Sequence, residues 1–396
     1  MFDVAIVGAR CAGSALALAL VRAGVKVLVI DRTTFPSDTM SGHFIQPAGV
    51  SCLRRLGLYE DLLALGYPPQ DLMTVDFGAA ILSGRPTAMP DGTDTGFAPR
   101  RHRFDAMLAD AAVAAGAELR EGVSFVEPLV EGGRVVGMKT SGRFGSEDIS
   151  ARLVVGADGK RSRVARTLGA AKYGVCEART CAYYTYWEGA DVDSARLLVR
   201  DGLFAVAVPC GGSTTFLAVQ WPRSHFIEVR KDIDGSTRRA IADIPWLAEH
   251  FADARPIEQY IGTGDLDAFF RTASGPGWAL VGDAGHHKDP ISAQGMTDAL
   301  LDAELLAAAI LDGLGGRRDL DAALAGYGHA RDRRSMPLHH VTDDLARLVP
   351  PPPEALSGMA AMAADPIAVS RYLGVMAGSV PAAEIFGASV EQSAAA

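Results

Sequence analysis

Hydrophobic and polar positions divide the start of the chain into strand, helix and strand. The apolar run Phe2–Val7 predicts a buried strand, and the small and apolar residues of Ala12–Ala23 predict a helix that packs on it. Gly24 suits the end of this helix. A second apolar run, Lys26–Asp31, predicts a strand parallel to the first, since a helical crossover joins parallel strands. The pattern therefore indicates a βαβ unit.

The turn of this unit carries most of the glycine pattern of dinucleotide-binding folds. Gly8 suits a tight turn, Gly13 allows the helix to lie close to the strand, and Asp31 is placed to bind a ribose hydroxyl. Arg10 replaces the middle glycine. Its side chain crowds the approach of the backbone to a pyrophosphate, although a guanidinium could itself contact phosphate. The turn favours nucleotide binding over a plain tight turn.

Two later apolar segments also end in an aspartate. Leu153–Ala157 leads into Asp158-Gly159 and a basic stretch, where the aspartate could cap a helix or the basic residues could lie near polyphosphate. The segment from Trp278 ends in Gly282-Asp283, and a loop then leads through Pro290 to a long helix that opens at Gly295. An acid at a strand tip can accept hydrogen bonds from sugar hydroxyls, and a helix start offers free N–H groups.

Polar residues near two other predicted helices are further candidates. Pro99–Leu108 places an arginine cluster before a helix, and such clusters are normally solvated, but one arginine could bind phosphate beside the nucleotide turn. His43 lies in a polar loop, Asp38–Gln46, where it either faces a ligand or is a hydrogen-bonded surface residue.

The middle of the chain changes to a strand pattern of alternating residues. Thr180–Trp221 predicts an antiparallel meander, and Met73–Gly78 predicts a strand followed by an excursion into a second domain. The aromatic residues of the meander are either core or the lining of a cavity for a flat apolar ligand. The sequence therefore indicates a second, sheet-based domain.

Composition narrows the class of protein. The chain has 396 residues, 48% of them hydrophobic, enough for about two domains. A net charge of -9 argues against nucleic acid or an anionic membrane as a partner.

Five irregularly spaced cysteines indicate free thiols. We find no signal peptide and no apolar run long enough to span a membrane, so we expect a cytoplasmic protein. The adjacent pairs His286-His287 and His339-His340 lack helical metal-ligand spacing, and we expect no metal.

In this order the motifs resemble the FAD-dependent aromatic hydroxylase family, the group that contains p-hydroxybenzoate hydroxylase. The resemblance covers most of the first ~335 residues. The family pattern Gly-Asp-Ala-x-His…Pro…Gly…Asp-Ala is met by Gly282, Asp283, Ala284, His286, Pro290, Gly295, Asp302 and Ala303. The chain departs from the family at Ala293, where glycine is usual, at Thr297, where asparagine is usual, and at Arg10.

The resemblance implies an α/β fold, α+β overall, with three parts. Residues 1–72, 98–172 and 260–335 would form a Rossmann-like FAD-binding domain. Residues 73–97 and 173–259 would form an inserted antiparallel-sheet domain that binds the substrate. Residues 336–396 would form a helical C-terminal segment.

The resemblance also implies roles for individual residues. Residues 8–13 would hold the FAD pyrophosphate, Asp31 the adenosine ribose and Asp283 the ribityl chain, while Arg101 would lie near the phosphates. Pro290 and Gly295-Met296 would border the isoalloxazine ring, and Asp158 would serve the cofactor and NAD(P)H. The implied cofactor-binding set is Gly8, Arg10, Cys11, Ala12, Gly13, Asp31, Arg32, Arg101, Asp158, Gly282, Asp283, Pro290, Gly295 and Met296. The substrate candidates are His43, Tyr186, Phe204 and Phe216.

The implied activity is hydroxylation of a small aromatic or polyketide-like substrate through a flavin C4a-hydroperoxide, with FAD as cofactor, NADH or NADPH as reductant and O2 as co-substrate. Because the flavin carries the chemistry, no side chain is assigned as catalytic. Three alternatives stay open: a geranylgeranyl reductase-like enzyme that saturates isoprenoid double bonds, a two-component enzyme served by a partner reductase, and a non-catalytic flavin-binding or sequestering protein. A halogenase is disfavoured because we find no W-x-W-x-I-P element; the nearest segment is Gln220-Trp221-Pro222.

Overall fold

The computed structural model describes residues 1–386, which contain two eight-stranded sheets and one three-stranded sheet. The strands are β1 (Phe2–Val7), β2 (Val27–Asp31), β3 (Met73–Asp76), β4 (Ile81–Gly84), β5 (Glu118–Glu121), β6 (Ser124–Glu131), β7 (Arg134–Gly142), β8 (Gly145–Gly156), β9 (Lys172–Cys176), β10 (Thr180–Glu188), β11 (Ala195–Arg200), β12 (Leu203–Pro209), β13 (Thr214–Pro222), β14 (Arg255–Pro256), β15 (Ile261–Thr263), β16 (Ala268–Arg271), β17 (Ser274–Gly275), β18 (Trp278–Leu280) and β19 (His286–His287).

The helices are α1 (Cys11–Arg22), α2 (Pro47–Arg55), α3 (Tyr59–Ala64), α4 (Arg101–Ala114), α5 (Arg163–Thr167), α6 (Phe226–Lys231), α7 (Ile233–Asp243), α8 (Pro245–His250), α9 (Gly295–Leu314), α10 (Leu320–Leu345), α11 (Pro353–Met362), α12 (Pro366–Ala377) and α13 (Ala382–Phe386). Short 3-10 turns cover Arg223–His225, Gly282–Ala284 and Pro290–Ser292. In residues 1–386 no helix is both long and apolar enough to cross a membrane.

The first sheet is the predicted parallel sheet. Its central order is β17-β18-β8-β1-β2-β5, and β1 pairs in parallel with both β2 and β8, as β18 does with β8. Helices α1, α4 and α9 share one apolar core with this sheet, in which Leu16, Leu20, Phe104, Leu300 and Leu306 are fully buried. Because the carboxyl ends of parallel strands lie at one edge, the segments after β1, β2, β8 and β18 meet there.

The second sheet has the order β14-β10-β13-β12-β11-β3-β4, with β15 also paired to β10. Its ladders are antiparallel except between β3 and β11, so the meander is confirmed and the early strand joins its far side. Successive side chains of β10 point to opposite faces. Tyr184 and Tyr186 enter one apolar core with Phe204, Phe216 and the turn residue Ile291, whereas Tyr183 enters another beneath α7 and α8.

The expected mixed α/β architecture is therefore confirmed, and two boundaries differ in detail. The proposed limit at residues 335 and 336 falls inside α10, a continuous helix that contains Pro337. The sheet domain extends past residue 259, because β15 pairs with β10. Residues 387–396 of the expected C-terminal segment lie outside the described residues.

Candidate functional site

The turn after β1 accepts only glycine at two positions. Gly8 has φ +109°, and a Cβ atom there would lie 2.3 Å from the carbonyl oxygen of Ala157, after β8. A Cβ atom at Gly13 would lie 1.8 Å from the carbonyl oxygen of Gly8. The glycines thus bring the start of α1, Cys11 and Ala12 included, against the strand tips. The first N–H groups of a helix have no intrahelical acceptor, so this start presents donors at the sheet edge.

Asp31 at the tip of β2 supports this turn. Its Oδ2 accepts the backbone N–H of Ala9 at 2.8 Å, and its Oδ1 accepts the N–H and hydroxyl of Thr33, both at 2.8 Å. Arg32 beside it is exposed. A carboxylate has about four acceptor positions, so these three contacts leave capacity for a ligand hydroxyl. The ribose role of Asp31 stays a prediction.

The arginines of the site converge on Asp105, which the sequence analysis did not identify. Asp105 is fully buried in α4, and its Oδ2 accepts Arg10 Nη1 at 2.8 Å and Arg101 Nη2 at 2.9 Å. Arg10 also donates to the backbone oxygen and hydroxyl of Ser37, so its guanidinium braces the 37–38 loop. The available signal was the i, i+4 spacing of Arg101 and Asp105.

Arg101 remains charged in this setting. Burial works against its charge, but the neighbouring groups, Asp105 first among them, together outweigh burial and raise the pKa of Arg101 above its ordinary value. Asp283 adds to the effect, which places the tip of β18 within the electrostatic reach of Arg101.

The segment after β18 supplies two groups that the protein leaves available. The Asp283 carboxylate is partly exposed and accepts no hydrogen bond from residues 1–386. A Cβ atom at the exposed Gly295 would meet nothing within 4 Å, so the start of α9 faces open space. Gly282 and Pro290 shape the turns on either side, and Met296 is buried behind them. Asp283 and the start of α9 are thus free to contact a ligand.

The Asp158 carboxylate, in contrast, accepts hydrogen bonds from the start of α5, the helix that follows it. Its Oδ1 accepts the hydroxyl of Ser162 at 2.5 Å, and its Oδ2 accepts the backbone N–H groups of Arg163 and Val164 at 2.7 and 3.1 Å. The N-cap of α5 is Ser162, whose hydroxyl accepts the N–H of Ala165, and Asp158 supports that cap and two further N–H groups of the helix start. Lys160 nearby is paired with Asp265 and Asp267.

A buried network of charges lies behind the start of α9. Lys288 Nζ lies 2.7 Å from Asp298 Oδ2, Arg334 Nη2 lies 2.8 Å from Asp302 Oδ1, and His286 Nδ1 lies 3.1 Å from Asp302 Oδ2. Burial alone would lower the pKa of His286, but Asp302 and then Asp298 raise it. The network ties α9 to α10 and to the loop after β18. The sequence analysis matched His286 and Asp302 to the family pattern without foreseeing this arrangement.

Three of the four substrate candidates, His43, Tyr186 and Phe216, lie together in the structure. His43 is 1% exposed, and its ring centroid lies 5.8 Å from that of Tyr186 and 5.6 Å from that of Phe216. Phe204 belongs to the same apolar core as these two aromatic residues. His43 is therefore not a surface residue, which removes that alternative. Burial lowers the pKa of His43 to about 4.

These strand tips, the N–H donors of α1 and the open start of α9 characterise a flavin-binding oxidoreductase of the Rossmann-like type. The chain belongs to the FAD binding domain family, whose model matches residues 1–341. This confirms the resemblance to FAD-dependent aromatic hydroxylases, and the enzyme class is flavin-dependent oxidoreductase.

Known relatives span several reactions. The chain is 30% identical to digeranylgeranylglycerophospholipid reductase 2 of Methanopyrus kandleri, over 76% of this chain and 74% of the relative. It is 28% identical to rifampicin monooxygenase of Streptomyces venezuelae, over 76% and 62% of the two chains. The solved structure of the flavin-dependent brominase Bmp2 matches with a TM-score of 0.84 and 20% identity, over 99% of this chain and 98% of that one. The likeness to the brominase is one of fold.

Proposed function

We propose that the protein is a monooxygenase that uses FAD, NAD(P)H and O2 to hydroxylate a small aromatic or polyketide-like molecule. One observation carries the proposal. Ile291, in the turn expected to border the flavin ring, packs in the same core as the aromatic side chains of the second sheet. A flat substrate held by those side chains would lie next to the cofactor's reactive ring.

The residues present fit FAD. The N–H groups at the start of α1 would bind the pyrophosphate, with Arg101 held close by Asp105. Asp283 would accept ribityl hydroxyls, and the absence of a side chain at Gly295 leaves room for a flat ring. Bound FAD would supply the redox chemistry, taking hydride from NAD(P)H and activating O2.

The chain's own contribution is a dry, apolar environment. Tyr184, Tyr186, Phe204 and Phe216 are each at most 6% exposed. Excluding water protects a reactive oxygen species from wasteful decay. The aromatic walls would also hold the substrate in one plane, which limits the orientations from which it can react.

An anaerobic titration tests this proposal. The FAD-loaded protein is titrated with NADH and then NADPH while the flavin absorbance is followed, with and without candidate aromatics. We expect bleaching by one nicotinamide, and incorporation of one atom from 18O2 into the product on admission of oxygen. A flavin that no nicotinamide bleaches, with or without an aromatic, but that a reductase reduces would replace this proposal with the two-component alternative.

The relative from Methanopyrus kandleri favours a second candidate, reduction of an isoprenoid double bond. This reaction consumes reductant without consuming oxygen. An oxygen electrode therefore separates the two candidates: reduced flavin that turns over on an isoprenoid under argon supports the reductase. A protein that binds FAD and performs neither reaction would be a non-catalytic flavin-binding protein.

A further inference from the structure

We propose that Asp289 is a buried anion that lowers the reduction potential of bound FAD and so makes the reduced cofactor a stronger reductant of O2. The inference rests on the proposed function and deepens it, because it takes the flavin ring to lie beside the turn Pro290–Ser292. It is carried by the hydrogen bonds of Asp289, by the lack of a cation near its carboxylate, and by its place at the cofactor edge.

Asp289 joins the turn before α9 to the second sheet. The residue is 4% exposed. Its Oδ2 accepts the hydroxyl of Thr180 in β10 at 2.6 Å, and its Oδ1 accepts the side-chain N–H of Gln220 in β13 at 2.9 Å. Oδ1 also accepts the backbone N–H of Ile291 at 3.0 Å. Only this last contact is a local cap of the turn, so capping does not explain the other two.

The hydrogen-bond pattern favours the charged form of the carboxylate. Thr180 is fully buried, and its hydroxyl oxygen accepts an N–H of Gln220 at 3.2 Å. The hydroxyl hydrogen then has Asp289 Oδ2 as its only acceptor in residues 1–386. A proton on Oδ2 would leave this buried donor unsatisfied, and a proton on Oδ1 would face two N–H donors. Burial raises the pKa of Asp289, and the three donors act against that rise.

No cation balances the charge of Asp289. The carboxylate makes no ion pair in residues 1–386, whereas the buried Asp298 nearby pairs with Lys288 at 2.7 Å. His287 acts on Asp289, but burial lowers the pKa of His287, so the imidazole is neutral near pH 7. A buried charge without a counter-charge is strongly unfavourable, and such groups concentrate at functional sites.

Asp289 lies at the edge where the cofactor is expected. It directly precedes the turn Pro290–Ser292, which leads to the open start of α9 at Gly295. Burial lowers the pKa of His287, and Asp283 and Asp289 both act against burial. His287 is therefore within electrostatic reach of both carboxylates, one of which, Asp283, accepts no hydrogen bond from residues 1–386. The buried anion and the free carboxylate border the same site.

A fixed anion at this place opposes reduction of the flavin. A hydride brings two electrons and one proton to the ring, and NAD(P)H leaves as NAD(P)+, so the flavin gains one negative charge. Repulsion between that charge and a carboxylate is stronger in a buried site than in water, because the effective dielectric constant is lower. The carboxylate therefore destabilises the reduced form more than the oxidised form. A lower potential in turn favours the transfer of electrons to O2.

The experiment measures the reduction potential of the FAD-loaded protein under argon, by equilibration with a redox dye while xanthine and xanthine oxidase supply electrons. Asp289→Asn removes the charge, keeps the shape of the side chain and can still accept from Gln220 and Ile291, although Thr180 loses its acceptor. We expect the equilibrium to shift towards reduced flavin by at least about tenfold, which is about 30 mV for a two-electron couple.

A second variant neutralises the anion without replacing it. Gln220→Lys places an ammonium group where it can donate to both Asp289 and Thr180, and it should shift the equilibrium in the same direction. Asp158→Asn is the matched control, because Asp158 also accepts one hydroxyl and two N–H groups at the same edge of the first sheet. We expect the control to shift the equilibrium by less than about twofold.

Three results would overturn the inference. The first is a shift of less than about twofold in the FAD-loaded Asp289→Asn protein, even if its Tm falls, since a purely structural role would change only stability. The second is a shift in only one of the two FAD-loaded variants, which would assign the effect to the shape of the turn and not to charge. The third is an equal shift in Asp158→Asn. If Asp289→Asn does not retain FAD, Gln220→Lys decides the question.

Failure of this inference is distinct from failure of the monooxygenase proposal, because the measurement uses neither NAD(P)H nor a substrate nor O2. A raised potential in the variants of a protein that hydroxylates nothing would overturn only the proposed reaction. Hydroxylation by a protein whose potential does not respond to Asp289 would overturn only the role of this carboxylate.

Discussion

Two buried histidines lie on different sides of the site, and their neighbours give them opposite properties. His286, behind the start of α9, lies 3.1 Å from Asp302 and 3.5 Å from Asp298, and these carboxylates raise its pKa. His43 lies among aromatic rings, and burial lowers its pKa to about 4. Each charged group of the network has an oppositely charged neighbour within 3.5 Å, although four of its atoms make no hydrogen bond: His286 Nδ1 and Nε2, Asp302 Oδ2 and Arg334 Nη1. The ring nitrogens of His43 make no hydrogen bond and no ion pair with the described residues. Electrostatics therefore favours the charged form of the histidine on one side of the site and the neutral form on the other.

Removing a carboxylate from the charged network should have the largest effect. Asp302→Ala would leave Arg334 and His286 with one carboxylate fewer in a buried setting, and we expect a loss of about 3 kcal/mol in the free energy of unfolding. The control is Glu304→Ala on the same helix, since the Glu304–Arg55 ion pair is exposed and should contribute less than about 1 kcal/mol. Urea unfolding measures both. Equal losses would show that the network contributes no more than a surface pair.

The pH dependence of stability should distinguish the two histidines. The folded pKa of His43, about 4, lies below the unfolded value of 6.5, so the unfolded chain binds the proton first and stability falls as the pH drops from 6.5 towards 4. The full loss would approach about 3 kcal/mol, at ~1.4 kcal/mol per pKa unit. His43→Phe should reduce this slope in unfolding curves recorded between those pH values, and His339, whose pKa burial also lowers to about 4, should account for part of what remains. An unaltered slope would place the imidazole in contact with water.

His286 has the opposite sign, because its pKa is raised on folding. Its stabilising contribution is fully present below pH 6.5 and is lost as the pH rises through its folded pKa. Both behaviours would therefore appear in one pH profile, on opposite sides of pH 6.5.

Two aspartates that follow parallel strands, Asp283 after β18 and Asp158 after β8, allow a second comparison at the edge of the sheet where FAD is expected to bind. Asp283 has no partner in residues 1–386, so Asp283→Ala should change stability by less than about 0.5 kcal/mol but weaken FAD retention at least about tenfold. Asp158 accepts two N–H groups at the start of α5 and the hydroxyl of its N-cap, Ser162, so Asp158→Ala should cost about 1 kcal/mol of stability and spare FAD. Flavin content after dialysis and thermal unfolding check the pair. Loss of FAD from the Asp158 variant would instead support its predicted cofactor role.

The sequence allowed us to predict which residues lie at the strand tips, but not which side chains pair with each other in the folded protein. The order of apolar segments predicted which turns meet at the sheet edge, because parallel strands share their carboxyl ends. It did not predict that Asp105 would pair with Arg10, 95 positions away, since that contact depends on how α4 packs on α1. Nor did it predict the burial of His43. The rings that cover His43 include Tyr184 and Tyr186 of β10, and which face of the sheet they occupy depends on strand register. Local patterns fixed the elements, whereas tertiary packing decided which side chain each charged group meets.

The smallest effect is expected from the left-handed backbone of Ala293, in the turn before α9. It occupies a position where the family usually has glycine, and it has φ +51° in the turn before α9. A left-handed conformation costs a residue other than glycine about 1–2 kcal/mol, part of which is offset by the greater freedom of an unfolded glycine. We expect Ala293→Gly to raise the free energy of unfolding by about 0.5 kcal/mol. The matched change Ala308→Gly, at an exposed position inside α9, should lower it by about 1 kcal/mol. Thermal unfolding of the two variants decides the point, because a loss of stability in both would mean that the turn before α9 holds Ala293 without strain.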